Sequence, residues 1–218
     1  MNSYSAPPGY VLQSDLFHDL RNTPDWYWIL WGNLLALLPL GIAALLLWLP
    51  YQFYVALGTP LALFPDPLIP EWLKWLIGIV IIAVSMLLHE LLHTAALRVL
   101  GYGARLNFAR GYFYATVERG QFLTRRDYIL MSLTPLSVMT LCGAALLLFL
   151  PPTFGQILLI ALLLNAAASV GDLSVASRAR RYPPDTLFTD EGGIKVYVRD
   201  TTFSSNLSNP LKTHRESD

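Results

Sequence analysis

The chain has 218 residues, of which 54% are hydrophobic and 14% charged, where an ordinary soluble domain is about a quarter charged. Fifteen basic side chains balance fifteen acidic ones, and there is a single cysteine. These values exclude a disordered chain, a disulfide-stapled secreted scaffold and a basic nucleic-acid binder, so no nucleic-acid partner is expected.

The apolar residues gather in four runs, 28–49, 75–100, 128–150 and 154–176. Each is long enough to cross about 30 Å of hydrocarbon as a helix, at ~20 residues per crossing. The expected fold is an all-α membrane protein: four transmembrane helices in residues 28–176, a small β-type insert between the second and third, and a short cytoplasmic tail. Residues 1–27 form an arm that is polar and carries Pro7, Pro8 and Pro24. It lacks the basic start and apolar core of a cleavable signal, so the protein is expected to stay in the bilayer, its first partner. All six tryptophans, Trp26, Trp28, Trp31, Trp48, Trp72 and Trp75, lie within or beside the ends of the first two runs, as suits side chains that favour the headgroup region.

The segment 50–70 is mostly apolar and holds Pro50, Pro60, Pro65, Pro67 and Pro70, which reads as a lid or re-entrant stretch at the outer surface. After Gly101 the period changes. Leu106 and Phe108, then Tyr112, Tyr114 and Thr116, alternate with other side chains, and a turn at 118–121 precedes Phe122-Leu123-Thr124. This predicts a β-type insert over 105–124. Cys142, inside the third run, is a small apolar filler. Pro151-Pro152-Thr153 allows only a tight link, so the third and fourth helices are antiparallel neighbours. In the tail, 177–218, the stretches 186–189 and 194–198 flank Asp190-Glu191-Gly192-Gly193 as a second hairpin, and 203–218 is a polar end.

Lys and Arg are distributed unevenly: Arg21 alone in the arm, five in 101–127, seven after Ala176, and none in 50–71 or 151–153. By the positive-inside bias both termini and the insert face the cytosol. Arg178, Arg180 and Arg181 serve that orientation.

The second run contains His89-Glu90-Leu91-Leu92-His93. Two histidines four apart share one helical face a turn apart, where their rings can converge on one metal ion, and the glutamate beside the first can reach a metal-bound water. The alternative, a polar cluster near the interface, must carry a carboxylate inside a lipid helix at a cost of ~2.5–3.5 kcal/mol. Binding a divalent metal offsets that cost. A catalytic zinc has three protein ligands, so a third is needed. His18 lies in the arm and His214 in the polar end, and of the carboxylates downstream only Asp172 falls within an apolar run. Asn165, Ser169 and Asp172 share a helical face, and the second and fourth helices run in the same direction, which brings His89, His93 and Asp172 to similar depth. The other role open to Asp172 is a helix-end acid paired with Arg178.

With these residues the sequence resembles the site-2 protease class of intramembrane zinc metalloproteases and, more closely, a zincin peptidase family of bacterial membrane proteins. The resemblance covers residues 72–198. It rests on His89-Glu90-Leu91-Leu92-His93, the insert with Tyr114-Ala115-Thr116, Leu133-Thr134-Pro135, and the stretch from Asn165 to Asp172. It implies a three-helix core with HExxH on its first helix and an aspartate ligand on its third. The chain departs in one respect, since Gly171 precedes Asp172 where those proteases place glycine after the aspartate.

The function that follows is a zinc-dependent endopeptidase holding one Zn²⁺ through His89, His93 and Asp172. Glu90 serves as general base, and Asn165 donates a hydrogen bond to substrate or to the developing oxyanion. The expected substrate is a membrane or membrane-adjacent protein, whose helix must be unwound, and the insert can add it as an edge strand. A different class of function is a non-catalytic membrane protein with a structural or regulatory metal. Against it stands Glu90, for which a closed structural site has no use.

Overall fold

The structure is a computed structural model that describes residues 6–17, 24–59, 69–109, 112–190 and 193–200. His18, His214, the polar end at 203–218 and residues 60–68 of the proline-rich 50–70 segment lie outside the described residues.

Helix α1 (Asp25–Ala56) starts after Pro24 and runs through Pro39 and Pro50, so it extends beyond the end expected at residue 49. Helix α2 (Glu71–Val99) starts after Pro70. Helix α3 (Arg125–Leu147) is capped by Thr124, whose hydroxyl accepts from the Asp127 amide, the usual way of satisfying an orphan N–H at a helix start. Helix α4 (Pro152–Ala168) opens on a proline, where the missing N–H costs nothing. The fourth run is not one uninterrupted helix: it breaks at Ser169 and resumes as α5 (Val170–Ala179). The cause is local, because Ser169 Oγ donates to Asn165 O (2.8 Å), and such back-bonding to the preceding turn bends helices.

Among the described residues, four helical stretches are long and apolar enough to cross a membrane: Leu30–Ala56, Glu71–Val99, Arg125–Leu147 and Pro152–Ala179. Their large apolar side chains point mostly outward, as at Leu45 and Leu49, both over three-quarters exposed. Polar ones point inward: Ser85, His89, His93, Ser132, Thr140, Asn165 and Ser169 are buried. This reverses the arrangement of a water-soluble bundle.

The fold is mostly helical with a small β-type insert, as expected, and among the described residues the strands form two small sheets. In the insert, β2 (Ala104–Ala109) and β3 (Tyr112–Val117) pair antiparallel, with Leu106 opposite Ala115. The third stretch of the insert, β4 (Leu123–Thr124), leaves this hairpin and pairs with β5 (Leu187–Thr189) of the tail. Strand β5 pairs with β6 (Lys195–Arg199), and β6 pairs with β1 (Tyr10–Asp15) of the arm. The resulting four-stranded sheet, in the order β1-β6-β5-β4, joins three separate parts of the chain.

Two cores hold these layers together. One, with Leu16, Leu97, Leu123, Tyr128, Phe188 and Val196, fixes the sheet to the ends of α2, α3 and α5. In the other, Leu47, Tyr54, Met139, Leu147 and Leu162 join α1 to the α3–α4 pair. Tyr54 closes that second core by donating from its hydroxyl to the carbonyls of Leu147 and Leu150.

Candidate metal centre

Helix α2 presents His89 and His93 on its inner face, both buried, with ring centroids 4.9 Å apart. Each ring is held from behind. His93 Nδ1 lies 3.0 Å from Met131 O on α3, a carbonyl that only accepts, so Nδ1 carries the proton. His89 Nδ1 lies 2.8 Å from Asn165 Oδ1 on α4. The Asn165 amide nitrogen faces Pro135 O at 3.4 Å, which leaves its oxygen to accept from His89. Both imidazoles therefore carry a proton on Nδ1 and turn Nε2 inward, where each ring, when neutral, offers a lone pair.

The break at Ser169 puts Asp172 in the first turn of α5 and brings its carboxylate to those lone pairs. His89 Nε2 is 3.0 Å from Asp172 Oδ2, and His93 Nε2 is 3.4 Å from Asp172 Oδ1. Asp172 Oδ2 is buried, and the group it faces is His89 Nε2. Neutral imidazoles facing a buried carboxylate at this range repel unless a proton or a metal ion lies between them. The spacings also fit one: ligands ~2.0–2.1 Å from a tetrahedral zinc stand ~3.3–3.4 Å from each other. The donor set of two imidazoles and a carboxylate is one that zinc takes in catalytic sites. Arg178, the other partner open to Asp172, is turned to the arm, donating to Leu16 O (3.2 Å) and lying over the Phe17 ring.

Glu90 stands beside the two histidines. One of its carboxylate oxygens, one nitrogen of His89 and one of His93 lie within 4.8 Å of one another. Its Oε2 accepts from the Ala115 amide of β3 (2.8 Å). Asn165 lines the cavity at the centre, with its Oδ1 facing His89 Nδ1 and its amide nitrogen facing Pro135 O, so it orients the His89 ring.

A cavity of about 310 Å³ opens from the centre between α2 and α4. His89, Glu90 and Asp172 lie at one end of it, and Ile82, Met86, Leu164 and Ala168 line the rest. Met86 and Ile82 are nearly half exposed, so the cavity reaches the outer surface of the helices.

On the side of His93 away from the cavity, Tyr128 stacks on Phe188 at 4.9 Å and donates to Asp190 Oδ1 (2.9 Å). Burial raises the Asp190 carboxyl above the usual carboxylate range, against the opposing pull of the Tyr128 hydroxyl and of His93. This pair ties the tail sheet to the helix that carries Met131.

A protein-family model described as "Putative zincin peptidase" matches residues 82–187, from the helical turns before His89 to the start of β5. The match covers just under half of the chain and includes His89, Glu90, His93 and Asp172, the β2–β3 hairpin and α3. No curated protein and no solved structure is significantly similar to the chain.

Proposed function

We propose that the protein is an intramembrane zinc metallopeptidase that cleaves membrane or membrane-adjacent protein segments near the cytosolic ends of its helices. The observation that carries this reading is the convergence of two imidazole lone pairs on the Asp172 carboxylate with Glu90 alongside. His89, His93 and Asp172 would hold one Zn²⁺, which supplies a Lewis acid for the scissile carbonyl and lowers the pKa of the attacking water. The protein's own groups do the remainder. Glu90 takes the proton of the attacking water and delivers it to the leaving amine nitrogen. Met131 O and Asn165 Oδ1 keep both imidazoles in the tautomer that offers Nε2. Asn165 lines the cavity wall, and the second N–H of its amide can also serve substrate.

Several features support the membrane setting: four helices of sufficient length, apolar side chains turned outward and polar ones inward. The positive-inside bias places both termini in the cytosol. An apolar wall at Ile82, Met86 and Leu164 suits the side chains of a substrate drawn from lipid. Strand β3, lying along the C-terminal half of α2, offers an edge to an unwound substrate segment.

The test uses the purified protein in detergent, with bound zinc measured by atomic absorption and fluorescein-labelled β-casein as probe. Glu90→Gln is expected to keep about one zinc per chain and lose cleavage by ~10²-fold or more, on the scale of a lost general base. His93→Ala is expected to lose both. Wild-type zinc content in His93→Ala would sink the proposal.

A further inference from the structure

Glu90 is the member of the centre that must be free to exchange a proton yet stay aimed, and its side chain leaves a helix through three rotatable bonds. What holds it is main chain. The Ala115 N–H donates to Glu90 Oε2 at 2.8 Å. Strand geometry accounts for this amide being available. In the β2–β3 ladder Arg105 pairs with Thr116 and Asn107 with Tyr114, and the Glu118 amide continues the ladder to Gly103 O (2.8 Å). The main chain of residues 114, 116 and 118 therefore faces β2, while that of 113, 115 and 117 faces the opposite edge. Ala115 falls where this outer edge crosses α2 at Glu90.

We propose that the Ala115 main-chain N–H is the positioning group of the general base, a role that rests on the peptidase reading of Glu90. The bond is charge-assisted and fixes one carboxylate oxygen, and with it the plane of the group, toward the histidines. A donor on the main chain of a paired strand moves far less than one on a side chain, so the base is pre-aimed before substrate arrives. The same bond constrains how substrate can use β3. An added strand finds the Ala115 N–H already committed and is left with the Phe113 and Val117 N–H groups and the outward carbonyls. Strand β3 thus divides its edge, holding the base at 115 and offering the rest to substrate.

The bond itself is tested without turnover, by residue-resolved amide hydrogen exchange on the full-length protein in detergent. Glu90→Ala is expected to speed exchange at Ala115 at least tenfold and to leave Phe113 within twofold. Unchanged exchange at Ala115 would overturn the inference. Its role in catalysis is tested with Ala115→Pro, which removes the N–H from the outer edge and leaves the bonds to β2 in place. With the β-casein probe this variant is expected to keep its zinc and its KM within twofold while kcat falls tenfold or more. Phe113→Pro, which removes an outward N–H that Glu90 does not touch, is expected to move KM and spare kcat. Wild-type kcat in Ala115→Pro, or equal loss of kcat in both proline variants, would overturn the positioning role. Should wild type cleave nothing while Ala115 exchange still depends on Glu90, the peptidase reading and the catalytic role both fall, and only the pairing stands.

Discussion

The ring nitrogens that would not touch a metal govern how the centre is built. Asn165 Oδ1 fixes the His89 tautomer, and a ligand's outer hydrogen bond is usually worth 10–100-fold in metal affinity. Asn165→Ala is accordingly expected to weaken zinc binding by ~10–100-fold, read by competition with a chelating dye, while the fold persists. Asn165→Asp keeps an acceptor opposite His89 Nδ1 and should bind zinc more tightly than the alanine variant. If alanine and aspartate lowered affinity equally, the orienting role would be wrong. This residue also shows where sequence stops being informative. The spacing of His89, Glu90 and His93 on a helix, and the rarity of charge around Asp172, make those four visible. The partners behind them are Met131 O, Pro135 O and the Ala115 N–H. Any residue supplies a carbonyl or an amide, so nothing in the sequence marks them.

The four helical runs and the strands within 105–124 and 186–198 were visible in sequence, whereas β1 in the arm was not. Strand β1 has no alternation, with adjacent Val11 and Leu12 both exposed and a bulge before Ser14. It is a strand because β6 has an edge to offer. Strand β4, expected at 122–124 within the insert, takes its pairing from β5 of the tail instead. The α3–α4 pair, by contrast, follows from its short proline link, and its closeness depends on one small residue. A Cβ on Gly143 would stand 2.5 Å from Leu162 Cδ2, within a core where Leu162 is fully buried. Gly143→Ala is expected to destabilise the protein by ~1–3 kcal/mol through overpacking. Gly78 in α2 has nothing within 4 Å of such an atom, and Gly78→Ala is expected to be neutral or to gain up to ~1 kcal/mol from helix propensity. Thermal unfolding in one detergent, measured on both variants, checks the difference in sign.

At the scale of the molecule, the chain is divided end to end. The sheet, the insert and the basic segments lie at one end of the helices, and the Pro151–Pro152 turn at the other. Thr153 and Arg180 are 27 residues apart along α4 and α5, which is about 40 Å of helix at 1.5 Å per residue, more than the ~30 Å of hydrocarbon. In the proposed orientation the sheet end is cytosolic, and the metal centre lies just inside the membrane from it, where water from the cytosol reaches Glu90 and lipid reaches the wall at Met86. Single-cysteine labelling tests this in a Cys142→Ser background, using Thr153→Cys and Asp185→Cys, both at exposed positions. An impermeant maleimide added to intact cells is expected to label Thr153→Cys, and to label Asp185→Cys only after the membrane is opened. The reverse pattern would invert the orientation and place the centre near the outer face. Labelling of both sites in intact cells would remove the membrane between the two ends, and with it the case for substrates drawn from lipid.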